Sequence, residues 1–184
     1  HLIGASREGK GQVVNLDIRR KIADLALPGM PHLGSGITWQ WHGKPVLATP
    51  NLKDGVITVI DMQNWQVVKQ IKTPGPGFFM RSHENTRFAW TDVFNGVKKD
   101  TLQLIDKQTL EIAATLTPSP GKTAAHVEFT RDGKYALVSV WEIDGALVIY
   151  DAKTLQEVKR LAMNKPSGKY NVYNKITHSS GTSH

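Results

Sequence analysis

The chain has 184 residues, of which 40% are apolar and 21% are charged, and its formal net charge is +7. This composition is typical of a globular protein that is long enough to bury its own core. No apolar run approaches the roughly 18 residues that a membrane-spanning helix needs, so we expect no membrane span. We also expect no nucleic-acid partner, because the positive charge is spread without a basic run or a recognition motif.

The chain contains no cysteine. This excludes disulfides, thiolate zinc sites, cysteine nucleophiles and the C-x-x-C-H attachment of a c-type haem within the chain. The sequence starts inside a strand-like segment and no signal peptide precedes it. We therefore expect it to be a fragment or a mature product of a longer protein.

A short run of β-branched and apolar residues that ends in Asp recurs four times. The four aspartates lie 44, 45 and 45 residues apart, at Asp17, Asp61, Asp106 and Asp151. After each of them, a few polar residues lead into a second short strand. A period of this size with several short strands in each repeat is typical of a β-propeller blade. We expect each Asp to end its strand and to accept hydrogen bonds from the tight turn that follows.

The strands predicted in chain order divide the chain into four repeats. Residues 1–27 supply three strands and lack an inner one, whereas residues 28–72, 73–117 and 118–161 each supply four. A further inner strand is predicted within 162–184, and no amphipathic helix of ten or more residues is visible. The predicted fold class is therefore all-β, a partial β-propeller of about four four-stranded blades. Since a blade needs neighbours on both faces, we expect half of a larger ring.

Two histidines fall at links that lead into inner strands, where a propeller gathers its ligand-binding residues. His32 precedes the second repeat, His126 begins the fourth, and Tyr170 takes the comparable place in the last predicted strand. Imidazole is a good axial ligand for haem iron, and imidazole and phenol both transfer protons. The alternative is that each histidine only bonds to backbone. Trp141 either flanks a ligand or packs within its blade.

Three stretches resemble the cytochrome cd1 nitrite reductase and dihydro-haem d1 dehydrogenase family. The most specific runs from Pro166 to Asn174 and reads Pro-Ser-Gly-Lys-Tyr-Asn-Val-Tyr-Asn, where the reductases have Pro-Thr-Gly-Lys-Phe-Asn-Val-Tyr-Asn. Val-Ser-Val-Trp at 138–141 and Pro-His-Leu-Gly-Ser-Gly at 31–36 are similar to Phe-Ser-Val-Trp and Pro-His-Pro-Gly-Arg-Gly. The resemblance implies the C-terminal half of an eight-bladed propeller that binds haem d1.

The resemblance also implies roles for individual residues. His32 matches one of two active-site histidines, and Ser167, followed by Gly168, matches a Thr that contacts a haem d1 carboxylate. Ser35 stands where the reductases have a haem-contacting Arg. His126 replaces a Gln that contacts the macrocycle, so it is expected to be the distal ligand of the iron. Trp141 is expected to bind the cofactor, and His32 and Tyr170 are expected to be catalytic. The second active-site histidine and the proximal ligand would precede residue 1.

A distal histidine leaves the iron no vacancy for nitrite, which favours dihydro-haem d1 dehydrogenase. That activity oxidises a propionate of the precursor to the acrylate of haem d1, in the periplasm, during cofactor synthesis for denitrification. The implied partners are the tetrapyrrole, the missing half of the propeller, a haem c domain and nitrite reductase as the recipient. Two alternatives stay open at this point. One is a haem d1 domain of a nitrite reductase or of a carrier in the same pathway, and the other is a non-catalytic interaction propeller.

Overall fold

Short antiparallel sheets follow one another along the chain. The computed structural model describes residues 1–169, and in that range the regular structure is all strand apart from one 3₁₀ turn, Leu33–Ser35. The first sheet has three strands and the next three have four each, and in each sheet the strands pair in sequence order. The prediction of an all-β propeller of about four blades is confirmed. Tyr170 and the rest of 170–184 lie outside the described residues.

Fifteen strands form the four sheets within residues 1–169. The first sheet contains β1 (Leu2–Ala5), β2 (Lys10–Asn15) and β3 (Arg20–Ala26), and the second contains β4 (Ile37–Trp41), β5 (Lys44–Thr49), β6 (Val56–Asp61) and β7 (Gln66–Lys72). The third contains β8 (Met80–Arg81), β9 (Phe88–Asp92), β10 (Leu102–Asp106) and β11 (Ile112–Leu116). The fourth contains β12 (Ala124–Phe129), β13 (Tyr135–Val140), β14 (Ala146–Asp151) and β15 (Glu157–Ala162). Residues 163–169 form no strand.

The core lies between the sheets. Because side chains alternate between the two faces of a strand, neighbouring residues belong to different clusters. Ile60 packs toward the first sheet while Val59 packs toward the third, and Leu104 and Ile105 divide in the same way. Each of the three clusters joins two consecutive sheets. Every sheet therefore buries at least one apolar face against a neighbouring sheet.

The turn after each third strand repeats in detail and corrects one prediction. The side-chain oxygens of Asp61, Asp106 and Asp151 accept from turn N–H groups, as expected. In the first repeat, Asn15 Oδ1 takes that part, accepting from Asp17 N–H at 2.9 Å. The ladder irregularity that directly precedes each acceptor falls at Val13/Val14 in this repeat. The equivalence of Asp17 was therefore wrong, because an Asn two residues earlier already supplies the acceptor.

The residue four positions after each acceptor has a left-handed backbone. The φ angles are 55° at Arg19, 59° at Trp65, 57° at Leu110 and 62° at Leu155. This conformation costs an ordinary residue about 1 kcal/mol, so a gain elsewhere must offset it. Trp65 and Leu110 are buried, and Leu155 packs against the last cluster, so burial supplies that gain in three of the four turns.

We predict that Asn15→Ala lowers the free energy of unfolding by about 1 kcal/mol, the net contribution of a lost turn hydrogen bond. Asp17→Ala is the matched control, because its exposed carboxylate has no such contact among residues 1–169, and it should change stability by less than about 0.5 kcal/mol. Urea unfolding followed by tryptophan fluorescence measures both. A larger loss of stability in Asp17→Ala than in Asn15→Ala would show that Asp17, as first predicted, is the equivalent of the other three aspartates.

Candidate functional site

Residues from the third sheet, the fourth sheet and the segment after β15 surround one cavity of about 240 Å³. The last described residues after β15 form the 166–169 segment. Four of the predicted site residues line this cavity, namely His126, Trp141, Ser167 and Gly168. Phe78, Phe79 and Phe94 add aromatic walls, with Ala125, Ser139 and Pro166 between them. The cavity is therefore mainly apolar, with one imidazole and a few hydroxyl and main-chain groups.

His126 is placed in the cavity by a bulge. Ala125 pairs with Ser139 and Glu128 pairs with Leu137, so His126 and Val127 together face one residue of β13. The φ of His126 is 53°, which is costly for a residue with a side chain. Bulges and strained residues of this kind concentrate at functional sites because they redirect a side chain. His126 thus lies inside β12, whereas His32 precedes β4. The sequence had suggested equivalent positions for the two histidines, and the structure shows that they differ.

His32 lies just outside the cavity. It precedes the 3₁₀ turn Leu33–Ser35, and its ring packs on Phe78 at 4.4 Å between centroids. Phe79 lies 6.2 Å from the ring of His32 and 4.6 Å from that of His126, so it contacts both histidines. His32 Nδ1 lies 2.6 Å from the carbonyl oxygen of Phe78 and 2.8 Å from Ser35 Oγ.

Trp141 and Phe94 form one part of the cavity wall. Their rings lie 5.4 Å apart at 30°, and Phe94 also contacts Phe78 at 5.5 Å. Trp141 is 40% exposed, which leaves part of the indole open to a ligand. Trp141 lines the cavity, and its contact with a ligand stays a prediction.

Asp92 is a buried carboxylate behind the aromatic wall that sequence reasoning missed. Its Oδ1 accepts from the N–H groups of Phe78 at 2.7 Å and Phe79 at 3.1 Å. The N–H groups of His126 and Phe94 also act on the carboxylate, although Oδ2 has no hydrogen bond of normal geometry within residues 1–169. Burial raises the pKa of Asp92 to about 6, against the opposing effect of these N–H groups. The signal that could have identified Asp92 from the sequence was its place at the end of β9, away from the repeated turn that three other aspartates cap.

Lys169 is the second residue that was missed. Its main-chain N–H donates to His126 Nδ1 at 3.1 Å, and its Nζ donates to the carbonyl oxygen of His126 and, at 2.6 Å, to Ser139 Oγ. Ser139 Oγ in turn donates to the carbonyl oxygen of Ser167 at 3.1 Å. Burial lowers the pKa of Lys169 to about 7, with Glu128 acting in the other direction. The 166–169 segment is thereby fixed to β12 and β13.

A buried ion pair lies deeper between the inner strands. Arg81 of β8 donates to Glu128 of β12 at 2.8 Å, and both side chains are at least 95% buried. Removing either partner would leave an uncompensated charge, so the pair strongly constrains how the third and fourth sheets meet. Within residues 1–169 no group of three or more His, Cys, Asp or Glu side chains could hold a metal ion, and no helix is long and apolar enough to cross a membrane.

Comparison with known proteins assigns the chain to a family. The model of the cytochrome D1 heme domain matches residues 2–175. The chain belongs to this family. A dihydro-heme d1 dehydrogenase of Pseudomonas aeruginosa is 63% identical over an alignment of 185 residues, which covers 100% of this chain and 38% of that protein. Protein NirF of Stutzerimonas stutzeri is 32% identical over 76% of this chain and 34% of its own length. The chain thus spans well under half of these relatives.

Solved structures give one likeness that agrees with the family assignment and one that concerns the fold. A dihydro-heme d1 dehydrogenase, NirN, in complex with DHE superposes with a TM-score of 0.92 at 64% identity, covering 95% of this chain and 38% of that one. Hydrazine synthase of Kuenenia stuttgartiensis superposes with a TM-score of 0.68 at 17% identity, covering 85% of this chain and 44% of that one. The second likeness shows the fold alone.

We predict that Asp92→Asn removes part of the pH dependence of stability. The pKa of Asp92 in the folded state, about 6, lies above its ordinary value of 3.8, so the folded protein binds more protons between these pH values. Its contribution therefore rises as the pH falls from 7 to 4, by about 3 kcal/mol at most. The free energy of unfolding at pH 4.5 and pH 7.5, measured by urea titration, should show this difference only in the parent.

The exposed Asp17→Asn is the control for charge removal and should keep the pH profile of the parent. Parallel profiles for the parent and Asp92→Asn would show that Asp92 does not titrate in this range.

Proposed function

We propose that the chain is the tetrapyrrole-binding part of a dihydro-haem d1 dehydrogenase and that dihydro-haem d1 is its substrate. The observation that carries the proposal is the cavity in which His126, aromatic walls and Ser167 meet. The identity of 63% to a dihydro-heme d1 dehydrogenase over the whole chain supports the same activity. Since this chain is 38% of that relative, the remaining binding surface, the second active-site histidine and the proximal ligand are proposed to lie elsewhere in the parent protein.

The residues present suit a flat macrocycle that carries carboxylates and iron. Phe78, Phe79, Phe94 and Trp141 offer ring faces and edges for stacking. His126 supplies an imidazole, a common axial ligand of haem iron, and is proposed as the distal ligand. Ser167 and the main chain of Gly168 line the same cavity and are proposed to bind a carboxylate of the substrate, with the amino group of Lys169 close behind.

The proposed reaction converts a propionate, –CH₂–CH₂–COO⁻, into an acrylate, –CH=CH–COO⁻, and releases two protons and two electrons. His32 is suited to accept one of the protons. The carbonyl oxygen of Phe78 can only accept a hydrogen bond, so Nδ1 of the neutral ring carries the hydrogen and Nε2 keeps a basic lone pair. Tyr170, outside the described residues, stays a proposed second proton partner.

The two electrons require an acceptor, and we propose that they pass one at a time to a haem c in a domain beyond this sequence. The proposed setting is the periplasm, where haem d1 would be finished for denitrification and passed to nitrite reductase. The family assignment supports this setting, since the matching model is that of the cytochrome D1 heme domain.

We predict that His126→Ala removes one axial ligand from bound iron. The full-length protein loaded with dihydro-haem d1 should change from a low-spin to a high-spin absorption spectrum in this variant, and added imidazole should restore the parent spectrum. His42→Asn is the matched control, because His42 lies in the β4–β5 turn with a left-handed backbone that Asn tolerates. A spectrum unchanged by His126→Ala would mean that another group binds the iron.

We predict that His32→Gln lowers turnover by about 10²- to 10⁴-fold, the usual contribution of a general base, with little change in substrate affinity. Gln retains an N–H that can reach the Phe78 carbonyl but has no basic nitrogen. Conversion of dihydro-haem d1 is followed by absorption and by mass, which falls by two hydrogens. Unreacted substrate in the parent, together with reduction of nitrite once haem d1 is supplied, would instead support a nitrite reductase.

A further inference from the structure

The two histidines beside Phe79 hold their ring hydrogens on different nitrogens. At His32, the carbonyl of Phe78 requires Nδ1–H. At His126, the partner of Nδ1 is the main-chain N–H of Lys169, which can only donate. Nδ1 of His126 therefore carries the lone pair, and in the neutral ring the hydrogen lies on Nε2.

This arrangement conflicts with iron binding through Nε2. A metal binds the lone pair of a ring nitrogen, and the other nitrogen of a neutral imidazole then carries the hydrogen and donates it to a nearby acceptor. In the described structure, His126 has the opposite distribution, and Nδ1 is already occupied by a donor at 3.1 Å. Moving the hydrogen to Nδ1 would bring two N–H groups face to face. The ring and the main chain of Lys169 therefore have to separate.

We propose that the 166–169 segment is a latch that holds His126 in the tautomer unable to bind iron, and that Lys169 is the residue that positions the ring. The proposal rests on the proposed function in one respect, namely that His126 is an axial ligand. Substrate binding must then displace the segment and free Nδ1 to carry the hydrogen, with no change in the net protonation of the ring.

The contacts of the segment show what displacement has to break. Besides the bond to Nδ1, Lys169 Nζ donates to the carbonyl of His126 and to Ser139 Oγ, and Ser139 Oγ donates to the carbonyl of Ser167. The carbonyl contact also supports the left-handed backbone of His126. Ser167 and Gly168 line the cavity, so a ligand that binds them acts directly on the same segment.

The test replaces one main-chain N–H with an ester oxygen. An α-hydroxy analogue of lysine at position 169 removes the donor to Nδ1 and keeps the side chain. An α-hydroxy analogue of asparagine at position 164 is the matched control, because it makes the same main-chain change after β15 at an exposed residue that lines neither the cavity nor the ring of His126. Nitrogen NMR of the free full-length protein, with labelled histidine, reports which nitrogen of His126 carries the hydrogen. Stopped-flow absorption with dihydro-haem d1 reports the rate of axial ligation.

The parent and the Asn164 ester are expected to show the hydrogen on Nε2 and the same ligation rate, whereas the Lys169 ester populates the Nδ1–H form. Ligation should become about two- to tenfold faster in the Lys169 ester, the range expected for loss of one hydrogen bond. A hydrogen on Nδ1 in the free parent, or an unchanged rate in the Lys169 ester, would overturn the latch. If loaded iron never gains an imidazole, the ligand assignment fails and the latch with it, although the NMR result on the free ring would be unaffected.

Discussion

Everything in this structure depends on apolar contact between one sheet and the next. A four-stranded sheet has two faces, and alternation along β6 sends Ile60 to one neighbour and Val59 to the other. Each cluster is therefore shared, and among residues 1–169 the second and third sheets are packed on both faces, whereas the first and fourth are packed on one. The cavity lies where this packing brings Phe78 and Phe79, just before β8, together with β12 and the 166–169 segment. The geometry of the site is thus a consequence of the stacking of the sheets.

Polar groups refine what the apolar contacts set roughly. Asp92 gathers the main chain of Phe78 and Phe79 on one side of the cavity, and Lys169 holds His126 on the other. Both are ionisable groups in surroundings that disfavour charge, and burial moves the pKa of each toward neutrality. Apolar rings consequently line the cavity, whereas Asp92 and Lys169, which do not line it, hold the main chain and the ring that do.

The strands and the cavity residues were largely predictable, and the polar supports were not. The repeat period and the alternation of apolar residues mark β6, β10 and β13 because those patterns are local. His126, Trp141, Ser167 and Gly168 were found through motif resemblance, which reports cofactor contacts and not geometry. Asp92 escaped because its partners are main-chain N–H groups 13 and 14 residues away. Lys169 escaped because it acts on His126, 43 residues away, through its main-chain N–H. Main-chain groups leave no pattern in side-chain identity. The bulge at His126 escaped for the same reason.

The left-handed turn residues give the stack of sheets a direction. Trp65, Leu110 and Leu155 each belong to the cluster that their own sheet shares with the preceding one. Each blade therefore grips its predecessor with a residue held in a costly conformation, and burial of that residue repays the cost. Arg19, at the same place in the first repeat, is polar and exposed. Loss of a later blade would remove the left-handed residue that packs on the blade before it. Loss of an earlier blade would leave the left-handed residue of the next blade in its costly conformation without the burial that offsets it.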